Sequence, residues 1–152
     1  MRQLKRYKKL ILIILILFAI VPPIFKTDKS ERVYFYKNIC YQNDCFHYEI
    51  ADSSGTRQLW LMFRKTLPIQ SWMLFVFPNS SINKFWMKNT IIPLDIIRLD
   101  KDFTIQYINR NTPWCEGSKC PSYWPNKLSK YVLELNSWQS ENWQVWENLI
   151  FR

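Results

Sequence analysis

Glycine is nearly missing from this chain: two residues in 152, where average usage of about 7% predicts roughly ten or eleven. Histidine is limited to His47. With one histidine and no glycine-rich loop, neither a Ser-His-Asp set, nor an HExxH helix, nor a phosphate-cradling loop can be assembled. There is no C-x-x-C motif, which removes the usual redox-active pair. His47 alternates with Phe46 and Tyr48 as a strand residue would. Acid–base chemistry also requires a positioned partner, so a structural or surface role fits it better. The sequence carries no internal repeat and no low-complexity segment.

Acidic residues are absent from the first 26 positions, which hold six basic ones: Arg2, Lys5, Arg6, Lys8, Lys9 and Lys26. The formal charge of +9 therefore divides unevenly. Residues 27–152 keep fifteen basic against twelve acidic residues, a net of +3. A domain so balanced needs no polyanionic partner, and nucleic-acid binding is not expected.

What the N-terminus does hold is an apolar run, Leu10–Val21, behind five basic residues, and no charge appears again until Lys26. The uncharged stretch of 16 residues from Leu10 to Phe25 would span about 24 Å as a helix, against a hydrocarbon core of about 30 Å. Pro22-Pro23 would stop it. No A-x-A-like cleavage site follows, and no cysteine is placed for lipid attachment. The expectation is an uncleaved signal-anchor through residues 10–25, with the basic end inside and residues 27–152 outside the membrane, periplasmic or extracellular. The alternative is secretion after signal cleavage. The chain then divides into the anchor or signal at 1–26, a linker with the first cysteine pair at 27–44, and a domain over 45–152.

The four cysteines fit export. Cys40 and Cys45 bracket Tyr-Gln-Asn-Asp, and Cys115 and Cys120 bracket Glu-Gly-Ser-Lys. Four cysteines allow three pairings, and an oxidising compartment favours disulfides. Turn-forming residues inside each short loop favour Cys40–Cys45 with Cys115–Cys120. Four thiolates on one zinc is the competing arrangement, but its usual signature is a pair of C-x2-C knuckles, and both spacings here are four. No metal and no cofactor is expected.

Local patterns indicate a mainly β domain with one or two short helices, preceded by the N-terminal hydrophobic helix. Strands are predicted over Cys45–Ala51, Met73–Phe77, Phe85–Lys88, Leu94–Leu99, Phe103–Ile108 and Lys130–Leu135, with a last one near Asn148–Phe151. Ser53-Ser54-Gly55-Thr56 offers the cap of a short helix over roughly Arg57–Lys65. Asp100-Lys101-Asp102 makes a hairpin turn, and residues 109–129 form a long loop pinned by cysteines. About seven short strands with frequent turns argue for a single small β-sandwich, jelly-roll-like domain or distorted barrel.

Chemistry rests on polar residues set among apolar strands: Arg64, Lys88, Asn89, Asp95, Glu134 and Asn136. Charges so placed usually pair, because burying one alone costs several kcal/mol. A structural network in which Asp95 or Glu134 holds Arg64 or Lys88 is one outcome. The other puts the same six groups at the mouth of the β domain, binding a small polar or glycan ligand. Asp95 and Glu134 could serve a glycosidase, with their separation deciding. No catalytic residue is assigned on sequence alone.

The ordered motifs Leu61-Met62-Phe63-Arg64-Lys65-Thr66-Leu67-Pro68, Met73–Pro78, Phe85-Trp86-Met87-Lys88-Asn89-Thr90-Ile91-Ile92-Pro93-Leu94-Asp95, 113–123 and Tyr131–Asn136 resemble domain-of-unknown-function family 192. The likeness runs over about 45–151. It implies a small, mainly β domain, often exported, with no catalytic residue to carry over. The matching signature positions include Met62, Arg64, Phe85 through Thr90, Pro93, Asp95, Cys115, Cys120, Pro121, Glu134 and Asn136. The family resemblance also has glycine where this chain has Trp60, Trp72, Trp124, Trp138, Trp143 and Trp146. Together with the glycine deficit, this suggests a gene that uses UGA for glycine and was decoded with UGA as tryptophan. The competing explanation is an aromatic platform for sugar stacking or a membrane interface. Trp86 is a family tryptophan.

The functional expectation is a membrane-tethered, exported β domain that binds or assembles at the cell envelope without catalysis. The alternatives are an envelope glycan hydrolase using Asp95 and Glu134, and a structural partner of a membrane protein.

Overall fold

The computed structural model describes residues 37–59, 61–123 and 125–151. The apolar segment 10–25, and with it the expected N-terminal helix and membrane tether, lies outside the described residues, as do Trp60 and Trp124.

The domain opens on a hairpin of β1 (Lys37–Tyr41) and β2 (Asp44–Ala51), with Cys40 opposite Cys45. A disulfide joins the two. Part of the stretch expected as a linker is thus a strand of the sheet. Ser53 caps α1 (Ser54–Leu59): its Oγ accepts from Thr56 N–H at 3.1 Å, satisfying one of the orphan donors of a helix start. The helix is shorter than the expected Arg57–Lys65, and the chain then runs irregularly to β3 (Ser71–Ser81).

β3 continues beyond the expected Met73–Phe77 and passes through Pro78. Its pairing shifts register between Val76 and Ser81, so the ladder needs no N–H from the proline. β4 (Phe85–Trp86) pairs with β7 (Ser122–Tyr123) as a separate two-stranded ribbon. β5 (Leu94–Leu99) and β6 (Ile105–Thr112) form the expected hairpin. At its turn the Asp100 carboxylate accepts from the N–H groups of Asp102 and Thr104 at 2.8 and 3.0 Å, a local bond characteristic of aspartate in turns. β8 (Ser129–Asn136) and β9 (Ile150–Phe151) complete the set.

Seven strands make one sheet in the order β6-β5-β8-β3-β2-β1-β9. All neighbours are antiparallel except β2 and β3, which run parallel with α1 in the crossover between them. The result is a curled, half-barrel sheet instead of two facing sheets. Register shifts in the β3–β8 and β5–β6 pairs supply the bending that irregular pairing brings. The segment 146–149 ties the ends together. Ile105 N–H donates to Glu147 C=O, Trp146 N–H to Ile105 C=O and Leu149 N–H to Phe103 C=O, while β9 pairs with β1.

Both faces of the sheet are covered, which explains why its central strands read as nearly unbroken apolar runs. Alternate side chains serve alternate cores. On one face Tyr48, Leu74, Ile97, Leu133 and Leu135 pack with Trp72, Trp143 and Leu149. On the other, Met73, Phe75, Ile96 and Val132 pack with Leu61, Leu67, Phe85 and Met87 from the covering loops. Trp138 and Trp146 adopt positive φ, as expected at glycine positions. Trp143 departs from that expectation: its φ is not positive and it is buried, stacked on Tyr41 at 4.4 Å.

Candidate functional site

The six polar residues expected to gather at a binding site are split by the sheet. Arg64, from the loop after α1, forks onto Glu49 of β2, with Nη1 and Nη2 at 2.9 and 2.8 Å from the two carboxylate oxygens. This bidentate geometry is the strongest form of the pair. Asn136 at the end of β8 donates through Nδ2 to Leu67 C=O at 2.8 Å, holding that same loop to the sheet.

Asp95 is fully buried on the opposite face. Its Oδ2 accepts from Ser140 N–H and Oγ–H at 3.0 and 2.8 Å, and its Oδ1 from Asn111 N–H at 2.7 Å. Three donors satisfy the carboxylate, which fastens the β6 end and the 137–140 turn to β5. Asp95 lies opposite Leu135, and Ile96 opposite Glu134, so side-chain alternation sends Asp95 and Glu134 to opposite faces. The two carboxyl groups do not share a cleft.

Asn89 takes a φ of 55°, tolerable for asparagine, and its C=O accepts from Phe63 N–H at 2.8 Å. This turn ends β4 earlier than expected and directs Lys88 elsewhere. Lys88 and Thr90 instead bridge to Cys115, whose disulfide to Cys120 closes the covering loop.

Lys88 and Glu134 do come together, in a cleft of about 230 Å³ between α1, β4 and the sheet. Ser54, Arg57 and Gln58 of α1 line one side. Lys84, Trp86, Lys88 and Thr90 line the other, with Phe75, Phe77 and Phe85 as apolar wall. Arg57 donates through Nη1 to Val76 C=O at 2.9 Å, and its guanidinium lies 5.3 Å from the Phe77 ring centre. The Lys88 ammonium sits 5.2 Å from the ring centre of Trp86, which is half exposed.

Glu134 forms the buried end of this cleft. Burial pushes its carboxyl up to about 8, with the nearby Arg98 charge pulling the other way. A carboxyl in that range carries its proton through most of neutral pH. Arg98 lies on the same face, diagonal to Glu134 across β5 and β8, since its register partner is Val132. Its guanidinium packs 4.6 Å from the Phe85 ring centre and donates to Tyr123 C=O at 3.0 Å. Its Nη1 is buried with no partner among the described residues. Burial lowers Arg98 to about 10, which leaves it a cation at neutral pH.

Sequence reasoning missed Arg57, Lys84 and Arg98. Arg98 carried the same signal as Asp95, a charge inside the run Leu94–Leu99. The two cleft cations carried none, because a cation facing a cleft and one facing bulk water look alike in sequence.

A model of domain-of-unknown-function family 192, described as uncharacterized ACR, matches residues 38–148. No curated protein matches the chain. A solved structure from Sinorhizobium meliloti 1021, provisionally described as a transcription regulator, is similar at 26% identity. That match has a TM-score of 0.68 and covers 78% of this chain and 95% of that one. A protein of unknown function from Novosphingobium aromaticivorans DSM 12444 is similar at 26% identity and a TM-score of 0.66, covering 76% and 83% of the two chains.

Proposed function

The chain belongs to domain-of-unknown-function family 192, and on that premise we propose that it is a binding domain whose ligand, a small polar molecule or the end of a glycan, occupies the cleft ending at Glu134. One observation carries this reading. Three cations and a buried carboxyl that no described residue holds by a hydrogen bond line a cavity walled by aromatic rings. A cleft with convergent polar groups and a shifted carboxyl is where a ligand belongs.

The reading is non-catalytic. A glycosidase needs two carboxyl groups flanking one bond, and Asp95 is occupied on the far side of the sheet. We place the domain outside the cell, tethered through residues 10–25. Two disulfides support an oxidising compartment. The curled sheet, with 146–149 linking β6 to the β1 side, fits a distorted barrel as the full architecture. The regulator description of the Sinorhizobium protein is not extended to this chain, whose residues 27–152 carry a net charge of only +3. A glycan array and a peptidoglycan pull-down with the full-length chain in detergent test the proposal. Retention that disappears in Lys88→Gln supports it, and no retention on either matrix rejects it.

A further inference from the structure

We propose that the cleft selects anionic sugars, a pyranose ring lying against its aromatic wall while a carboxylate or phosphate on that ring is held by Lys84 and Lys88 with Glu134 as hydrogen-bond partner. The inference rests on the cleft being a ligand site and specifies the chemistry it takes. Arg57, Lys84 and Lys88 are the charged groups of the lining besides Glu134. Arg57 is engaged with Val76 C=O and the Phe77 ring, and Lys84 and Lys88 add two compact ammonium charges to the same lining.

The surroundings of Glu134 reinforce the positive balance. Arg98 approaches from β5 on the same face. From β2, Glu49 lies in the same cross-strand row, through Met73, at two strand spacings or roughly 10 Å. Its charge is matched by the Arg64 fork. From the covering segment come Lys84 and Lys88, and from α1 comes Arg57. With its acid range raised, Glu134 keeps a proton at neutral pH and donates it to an anionic oxygen instead of repelling it.

Size and shape narrow the class further. At about 230 Å³ the cavity is smaller than the ~300–1,000 Å³ pockets that enclose drug-sized ligands, and suits a single ring. Phe75 and Phe85 form the buried base of the wall, and partly buried Phe77, with half-exposed Trp86 at the rim, offers apolar surface to the C–H side of a sugar.

Calorimetric titration of the full-length chain, in a detergent without a sugar headgroup, tests this with glucuronate, glucose 6-phosphate and glucose. The expected result at pH 7 is a preference of about ten-fold or more for at least one anionic sugar over glucose. Which of the two is preferred identifies the anion. The Lys84→Gln/Lys88→Gln double variant, checked for folding by circular dichroism, should bring the ratio close to one. Raising the pH from 7 to 9 should weaken anion binding in the wild type and leave Glu134→Gln unchanged. Equal binding of all three sugars overturns the anionic inference while the cleft remains a binding site. Binding of none overturns both. A preference that survives in the double variant overturns the assignment of the two lysines.

Discussion

Trp138 and Trp146 share one backbone conformation, φ 76° at each, and both side chains stand in solvent. A bulky residue enters the left-handed region only with strain, whereas glycine enters it freely. Both positions are among the six at which the family resemblance has glycine. Trp72, a third, is fully buried with its indole N–H unpartnered among the described residues, a deficit worth about 1–3 kcal/mol. The codons at positions 138 and 146 are accordingly expected to be UGA, and UGG at all six of positions 60, 72, 124, 138, 143 and 146 ends the idea. Trp138→Gly and Trp146→Gly should each stabilise the domain by about 1 kcal/mol in urea unfolding.

Asp95 is a structural anchor. Removing it strands Ser140 N–H, Ser140 Oγ and Asn111 N–H in or beside the core. Asp95→Ala is expected to cost about 3–5 kcal/mol, read from the denaturant midpoint. Because Asp95 faces away from the cleft, the fraction that remains folded should bind ligand with unchanged affinity. Lost affinity in well-folded protein would contradict this placement.

How much of this was legible in sequence depended on whether the cause was local. The ends of Leu94–Leu99 are legible because the Asp100 turn and Pro93 bound the strand on both sides. The Ser53 cap was legible, but the length of α1 was not, since the chain leaves the helix to seat Leu61 and Leu67 in the core. The parallel pairing of β2 with β3 leaves no local mark, because a strand's choice of neighbour is a tertiary matter. Of the six polar residues, only Lys88 and Glu134 reach the cleft. Apolar neighbours on both sides of each charged residue in Leu94–Leu99 and Tyr131–Leu135 conceal which face that residue takes, and that choice separates Asp95 from Glu134.

The two disulfides should differ in consequence. Each closes a loop with a sequence separation of 5, and loop entropy assigns a loop of that size about 2 kcal/mol. Cys40–Cys45 joins β1 to β2, away from the cleft lining. Cys115, by contrast, is bridged to Lys88 and Thr90, and its N–H donates to Thr90 C=O at 3.1 Å. Cys40→Ser/Cys45→Ser should lower stability and leave affinity intact. Cys115→Ser/Cys120→Ser should lower both, since Lys88 and Thr90 line the cleft. Melting curves and titrations on the two variants separate these outcomes, and equal losses of affinity would refute the distinction.

Glu134 makes the stability of the domain depend on pH in a predictable direction. Its carboxyl is raised from 4.5 to about 8, burial being the main cause. In the unfolded chain it releases its proton near 4.5, while the folded chain holds that proton until about 8. Between those values the folded state binds more protons than the unfolded one, so stability falls as pH rises. The penalty is absent below the lower value and complete above the upper one, with a ceiling of about 5 kcal/mol. Glu134→Gln has no proton to release and should be the more stable protein at pH 8, by a few kcal/mol. At pH 4 the two should be nearly equal. Urea midpoints measured at pH 4, 6 and 8 check this directly. Parallel pH profiles for wild type and variant would mean that Glu134 is ionised and solvated in the folded chain, and the protonated donor assigned to the cleft would go with it.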